Sequence, residues 1–310
     1  MPQGLGVAVI GGGTMGASIA AYFLRGGWTA HVVSPSATTR RSLPERIEAT
    51  VGNRAALAGL TVHDSLAPVP WAEVDLVIES VTEDLAVKRE VFAELERRAK
   101  ASTALTSNSS GISPSRIAEA VADRSRVLGL HHFLPAHVVP LVEIVPTPDT
   151  PASTVELLKD RLERLGKVPI VCARDIPGFV ANRIQHALMR EALHLIAEGV
   201  ASAEDVDVAV RFGFGFRYAA AGPVLQKELS GWDVNYEAAR AIYPSLCNDP
   251  TPNRLVADLV RRGATGVKAR KGFWSWTEEQ VADVTGRYAA ALERALAIVL
   301  EDRPRRASGP

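Results

Sequence analysis

The spacing of apolar residues along the chain changes once, near residue 176. Before that point, short apolar or β-rich runs at 5–10, 29–33, 74–78, 104–106, 127–131, 142–145 and 168–171 read as buried strands. The stretches between them at 17–24, 85–99, 114–121 and 153–165 carry helical spacing and helix-ending residues. This alternation predicts an α/β domain over residues 1–175, built on a parallel, doubly wound sheet. After Pro177 the β-rich runs stop, and residues 179–198 place Val180, Ile184, Leu188 and Leu195 on one helical face. Further helices are expected at 203–211, 253–262 and 278–301, with turns at Gly213, Gly222-Pro223 and Asp249-Pro250. Residues 176–310 therefore read as an all-α domain. Its apolar faces exceed what one small helical layer buries alone, which predicts a homodimer formed through this domain.

Charge narrows the choice of partner. Lys plus Arg and Asp plus Glu are equal at 35 each, so no net field draws a nucleic-acid backbone or an anionic membrane, and neither is expected as a partner. No stretch has the length of a bilayer span, and the N-terminus enters an apolar strand without the regions of a signal peptide. A soluble, unprocessed, cytoplasmic protein is expected. Cys172 and Cys247 are the only cysteines and form no C-x-x-C, which argues against a disulfide framework or a structural zinc site. The polar tail at 303–310, punctuated by Pro and Gly, is expected to fray.

Candidate chemistry begins at the first turn. Gly11, Gly13 and Gly16, with Thr14 and Met15 between them, make G-x-G-x-x-G one residue after the first strand and at the opening of a helix. In that context the first glycine permits the tight turn, the second lets a pyrophosphate approach the backbone, and the third lets helix and strand pack closely. The following helix N-terminus faces the phosphates. At the end of the second strand, Ser34 stands where an acid usually binds the ribose hydroxyls and excludes a 2′-phosphate, which leaves selectivity open, with NAD as the expected cofactor and NADP not excluded. Arg40 and Arg41 follow, either as partners for a 2′-phosphate or as a solvated helix face.

His131 and Glu143, twelve residues apart, supply a general base and a carboxylate to hold its tautomer. Together with the glycine turn they suggest a nicotinamide-dependent alcohol dehydrogenase. Strand alternation sends the neighbouring His132 to the opposite face, so only one of the two shares the site. A satisfied core histidine is the bland reading. A metal reading from His131, His132, His137 and Glu143 fits no standard ligand spacing, and no metal is expected. Ser107-Asn108-Ser109-Ser110-Gly111 follows a buried strand at its carboxyl end, where open α/β sheets bind ligands. Ser110 is a candidate donor to the substrate oxygen, unless the run only caps the next helix. Asn182, one turn into the first helix of the second domain, is a candidate donor to a developing carbonyl.

In these residues the chain resembles the 3-hydroxyacyl-CoA dehydrogenase family. The resemblance rests on the glycine turn, E-S-V-T-E-D-L-A-V-K at 79–88, the S-N-S-S run, G-L-H-x-F-x-P with P-L-V-E, P-G-F-V-x-N-R, and Lys271-Gly272-Phe273. These occur in family order over nearly the whole chain. The resemblance implies a Rossmann-type domain followed by a helical, dimer-forming domain, and interconversion of a 3-hydroxy and a 3-keto group. It implies His131 as base in oxidation and acid in reduction, Glu143 as its partner, and Ser110 and Asn182 as groups that position the substrate. Glu83 and Lys88 match positions near the nicotinamide end of the cofactor.

Three departures matter. Ser34 replaces the family's aspartate. Leu134 replaces the asparagine before Pro135 and removes a polar tether near the base. The long lysine-rich helical hairpin that meets CoA in the CoA-using members is matched here by residues 36–60, a short region with no Lys. Its arginines Arg40, Arg41, Arg46 and Arg54 replace that grip only in part. Residues 213–223, with the pair Arg217-Tyr218, resemble the branch acting on free hydroxy acids, such as gulonate and carnitine dehydrogenases and lambda-crystallin. Arg217 is expected to clamp a carboxylate bidentately, its other role being an ion pair at the surface or between domains. The expected substrate is a short free 3-hydroxy carboxylate. A 3-hydroxyacyl-CoA such as 3-hydroxybutyryl-CoA is the alternative, which the Lys-Gly-Phe-Trp segment resembles. A third reading, a non-catalytic cofactor-binding or structural protein like the crystallin, is opposed by the intact set of Ser110, His131, Glu143 and Asn182.

Overall fold

Eight strands form one sheet in the order β3-β2-β1-β4-β5-β6-β7-β8 in a computed structural model that describes residues 4–301. The strands are β1 (Gly6–Ile10), β2 (Thr29–Val33), β3 (Leu60–His63), β4 (Leu76–Glu79), β5 (Ala104–Ser107), β6 (Val127–His132), β7 (Leu141–Pro146) and β8 (Val168–Val171). Helices α1 (Thr14–Arg25), α2 (Ala37–Val51), α3 (Leu85–Arg98), α4 (Pro114–Ala118) and α5 (Ala152–Arg164) alternate with them. The order 3-2-1-4-5-6 is that of doubly wound dinucleotide-binding folds. The expected α/β class is therefore the one observed. The polar tail lies outside the described residues.

The sheet carries an apolar layer on each face. Ile19, Phe23, Leu43, Ile47, Leu128 and Ile144 belong to one, and Ile10, Phe92, Leu95, Leu105 and Ile117 to the other. Every residue of β1 and β6 is buried, as expected of strands covered on both faces. At the edge, β3 pairs only with β2; Thr61 is exposed, Leu60 and Val62 are half-buried, and His63 alone is buried. Its four residues give no apolar run, so this strand was absent from the sequence expectation. Residues 36–60 otherwise form α2 and a 3-10 turn, Arg54–Gly59.

One expectation is corrected. The sheet is not wholly parallel, because β7 runs antiparallel to β6 and β8 runs parallel to β7. The cause is length: residues 133–140 are too few for the crossover of a dozen or more residues that a parallel pair requires. This reversal has a chemical consequence, since it places His131 directly opposite Glu143 in the register.

The chain divides into two compact units, one up to Arg183 and one from Ile184. The second unit is helical: α6 (Ala181–Ala197) begins just before it, and α7 (Ala203–Val208), α8 (Pro223–Ser230), α9 (Trp232–Ile242), α10 (Arg254–Arg261) and α11 (Glu278–Glu301) follow. The turn expected at Gly213 is instead part of a π-helical turn, Ala209–Phe214, that continues α7 and passes into a 3-10 turn, Gly215–Ala219. There a Cβ on residue 215 would lie 2.7 Å from the Val210 carbonyl oxygen, so glycine permits the close return. Gly222 and Pro223, read as a turn, instead open α8, with proline at a position that needs no N–H donor. Among the described residues from Ile184 on, only Ala264 is buried. Leu188, Phe212, Leu229, Trp232, Tyr236 and Tyr288 are all exposed. Among the described residues no helix is long and apolar enough to cross a membrane.

Candidate active site

The glycine turn lies at the carboxyl end of β1. Gly11 has φ of +116°, and a Cβ there would lie 2.3 Å from the Ser80 carbonyl oxygen. A Cβ on Gly16 would lie 1.8 Å from the Gly11 carbonyl oxygen, so α1 can press against the turn only with glycine at that position. Gly13 is different: it is exposed, and a Cβ there would meet nothing within 4 Å. That open approach, beside a helix start whose preceding residue has no capping side chain, fits the diphosphate of a dinucleotide. Thr14 and Met15 form the first residues of α1. Ser34 is buried just beyond β2, and Arg40 folds back to donate to the carbonyl oxygens of Ser34 and Pro35 at 2.8 and 2.7 Å. The guanidinium of Arg40 therefore lies at the end of β2.

His131 and Glu143 meet across β6 and β7, with His131 Nδ1 2.8 Å from Glu143 Oε2. Glu143 is 0% exposed, and its other oxygen accepts from the N–H groups of Val180 and Ala181 at 3.0 and 2.9 Å. Burial pushes its pKa up, but the hydrogen bonds from His131, Ala181 and Val180 outweigh burial and hold the carboxyl below its ordinary value. An ionised acceptor fixes the proton of His131 on Nδ1 and leaves Nε2 as the free acceptor. The imidazole packs edge-on against Phe133, with ring centres 4.5 Å apart, and tilted against Phe179 at 5.5 Å. Cys172 lies behind Glu143; burial and then the carboxylate charge push its thiol up to about 11, so it stays protonated.

Asn182 is the second residue of α6, directly after the two N–H groups that bind Glu143. Ser110 is exposed in the loop after β5, between Ser109 and Gly111, both of which donate to Glu83. Burial raises the pKa of Glu83, and hydrogen bonds from Ser109, Gly111 and Ile112 with the charge of Lys88 bring it below the ordinary value. Lys88 is 1% exposed, and its ammonium lies 2.7 Å from Glu79 and 3.5 Å from Glu83. It thus supports the loop after β4 from beneath. Arg217 is exposed on the 3-10 turn of the second unit. Among the described residues its guanidinium pairs with no carboxylate.

Sequence reasoning gave no role to Glu79, which ends β4 fully buried and accepts from Val81, Lys88 and Ser107. A charged residue closing an apolar strand was the available signal. Phe179, which covers the imidazole, offered none.

Residues 6–176 match the family described as 3-hydroxyacyl-CoA dehydrogenase, NAD binding domain, and residues 178–276 match 3-hydroxyacyl-CoA dehydrogenase, C-terminal domain. The chain is 31% identical over 306 residues to 5-formyl-3-hydroxy-2-methylpyridine 4-carboxylate 5-dehydrogenase of Mesorhizobium japonicum, covering 96% of this chain and 98% of the relative. It is 35% identical to 3-hydroxyadipyl-CoA dehydrogenase of Escherichia coli over 90% of this chain, and spans 60% of that relative's length. With L-carnitine dehydrogenase of Streptomyces coelicolor it shares 30% identity, over 84% of this chain and 92% of the relative. Among solved structures it is similar to the same type of pyridine-carboxylate dehydrogenase, described as an NAD+-dependent dismutase, with a TM-score of 0.90, 27% identity and coverage of 97% and 99%. Similarity to (S)-3-hydroxybutyryl-CoA dehydrogenase from Ralstonia eutropha gives a TM-score of 0.72, 26% identity and coverage of 88% and 99%.

Proposed function

Since the chain belongs to the 3-hydroxyacyl-CoA dehydrogenase family of NAD-dependent oxidoreductases, we propose that it interconverts a 3-hydroxy and a 3-keto group on a short free carboxylate, with His131 as the proton-transferring group. The observation that carries the chemistry is the buried contact between His131 and Glu143, which leaves Nε2 free to take a proton. In oxidation His131 takes the hydroxyl proton as hydride leaves the same carbon, and Glu143 steadies the imidazolium that results. Ser110 and Asn182 donate to the substrate oxygen as it becomes a carbonyl. Reduction reverses these proton movements. Gly11, Gly13 and Gly16 would hold NAD(H) at their turn, where the bound cofactor would supply the hydride chemistry.

Support for a free acid comes from three sides. Two of the similar proteins, the pyridine-carboxylate and carnitine dehydrogenases, have carboxylates as substrates. The structural similarity is higher to the pyridine-carboxylate enzyme than to the CoA enzyme, at TM-scores of 0.90 and 0.72. Among the described residues the Arg217 guanidinium pairs with no carboxylate, which suits bidentate capture. Nicotinamide absorbance with NAD and NADP tests the assignment, using free 3-hydroxybutyrate, gulonate, carnitine and 3-hydroxybutyryl-CoA in parallel. Turnover confined to free acids is expected, with kcat/KM falling about 10-fold to 10²-fold in Arg217→Ala. Turnover confined to the thioester assigns the arginines of residues 36–60 to CoA and returns Arg217 to a structural role. A chain inert toward every substrate favours the non-catalytic reading. With Ser34 and Arg40 at the end of β2, NADP is expected to support measurable turnover beside NAD.

The reading includes a homodimer through the second unit. Its support is the row of large apolar side chains left exposed there, with Ala264 alone buried among the described residues. Helices without a buried face gain little from local propensity, and a second copy supplies that face. Light scattering is expected to give a particle near twice the 33.2 kDa chain mass, and a stable particle of one chain mass contradicts it.

A further inference from the structure

His132 faces away from the dyad, yet neither its backbone N–H nor either ring nitrogen is idle. Its backbone N–H donates to Asn108 Oδ1 at 2.8 Å, and its ring Nδ1 lies 3.0 Å from the same oxygen. A backbone N–H can only donate, so the Asn108 atom facing it is the oxygen, and Nδ1 must carry the ring proton. Nε2 is then an acceptor, and the Tyr22 hydroxyl donates to it at 2.7 Å. Burial, followed by the charges of Lys167 and His131, pushes the ring's pKa down to about 3, so the ring stays neutral. His132 is 1% exposed and Tyr22 4% exposed.

The two ends of this chain of contacts belong to different parts of the site. Tyr22 lies on α1, the helix whose start fits the cofactor's phosphates. Lys167 lies over its ring at 4.3 Å and donates to the carbonyl oxygens of Ala136 and Val139, in the loop that follows β6. Asn108 opens the loop that carries Ser110. That loop is fastened again beyond Ser110, where Gly111 donates to Glu83 at 3.0 Å. Ser110 therefore hangs between two clamps, and His132 holds one of them.

We propose that His132 is a positioning residue: bridging Tyr22 and Asn108, it locks the loop of Ser110 to the strand of His131 and to the cofactor helix. This rests on the reading above that Ser110 touches the substrate. Nothing in the pattern of strand residues demands a histidine here, since apolar Leu128 and Leu130 fill the same face of β6.

The test is a double-mutant cycle between His132 and Ser110, run with the substrate that turns over. His132→Phe keeps a ring but loses both ring contacts, and kcat is expected to fall about 10²-fold, the scale of a 1 Å misplacement. KM and the NADH dissociation constant, read by fluorescence titration, are expected to change far less. His132→Gln, whose amide again donates to Asn108 and accepts from Tyr22, is expected to recover most of the loss. Ser110→Ala alone is expected to cost about 10²-fold. Added to His132→Phe, it is expected to cost under about threefold more, because a displaced serine has little left to contribute. Full additivity with Ser110→Ala impaired overturns the positioning role and leaves the reading of Ser110 intact; an unchanged kcat in Ser110→Ala overturns both. Amide exchange at residues 108–111 is expected to quicken in His132→Phe, and unchanged exchange there overturns the proposal whatever the activity. Should His132→Phe not fold, Tyr22→Phe, which lacks one hydroxyl, enters the same cycle with the same criterion.

Discussion

His131→Ala is expected to lower turnover by about 10⁴-fold, the upper end for loss of a proton-transferring side chain, while NADH still binds. The separation follows from where the two functions lie. Nothing in the glycine turn depends on the imidazole: Gly11 and Gly16 are shaped by contacts with Ser80 and with each other. Removing His131 leaves Glu143 buried with one oxygen still bound by Val180 and Ala181 and the other without its partner. Thermal stability is therefore expected to drop somewhat as well. Steady-state turnover and an NADH fluorescence titration decide the matter. Loss of both activity and binding, or of neither, would sink the assignment of His131 as the base.

Glu143→Gln is expected to come close to the same loss, about 10³-fold to 10⁴-fold in kcat, although it changes one atom. The glutamine must present its oxygen to two backbone N–H groups that can only donate. Its NH2 group then faces His131 Nδ1 and can only donate in turn, so Nδ1 becomes the acceptor and the ring proton moves to Nε2. That is the wrong tautomer for taking a proton from a hydroxyl. Cofactor affinity is expected to hold. The pH dependence of stability carries a second signature. The carboxyl's pKa in the folded chain is depressed, so its contribution is present above the ordinary carboxylate range and fades as pH falls through the lowered value. The wild type is thus expected to melt above Glu143→Gln at neutral pH, with the gap closing toward acid. An unchanged kcat would reduce Glu143 to a structural role, and a constant gap would contradict the depressed pKa.

Much of the first unit was legible because strands buried on both faces write continuous apolar runs. Those around Val9, Val77 and Leu128 were read from the sequence, as was the glycine turn, whose steric demands are local. The edge strand β3 was not, since an edge strand needs only one covered face and its Thr61 faces solvent. In the second unit, α8 was missed because Gly222-Pro223 reads equally as a turn or as a helix start, and capping geometry decides between them; α9, which follows Gly231, was missed as well. The long helix α11 was read at full length because helix formers on both sides outweigh Thr285 and Gly286 in its interior.

By itself the sequence determined the alternation of strands and helices, the glycine turn, and the presence of a histidine and a glutamate twelve residues apart. Tertiary structure decided that these two meet. A link too short for a crossover forces β7 to reverse, and antiparallel register then sets His131 opposite Glu143. Only the folded chain could bring Tyr22 to His132 across 110 residues, and Asn108 to His132 across 24. Local sequence fixes backbone period and which face a side chain takes. Whether two polar groups lie within a hydrogen bond of each other depends on how sheet register and helix packing are jointly settled, and no short window of sequence contains that information.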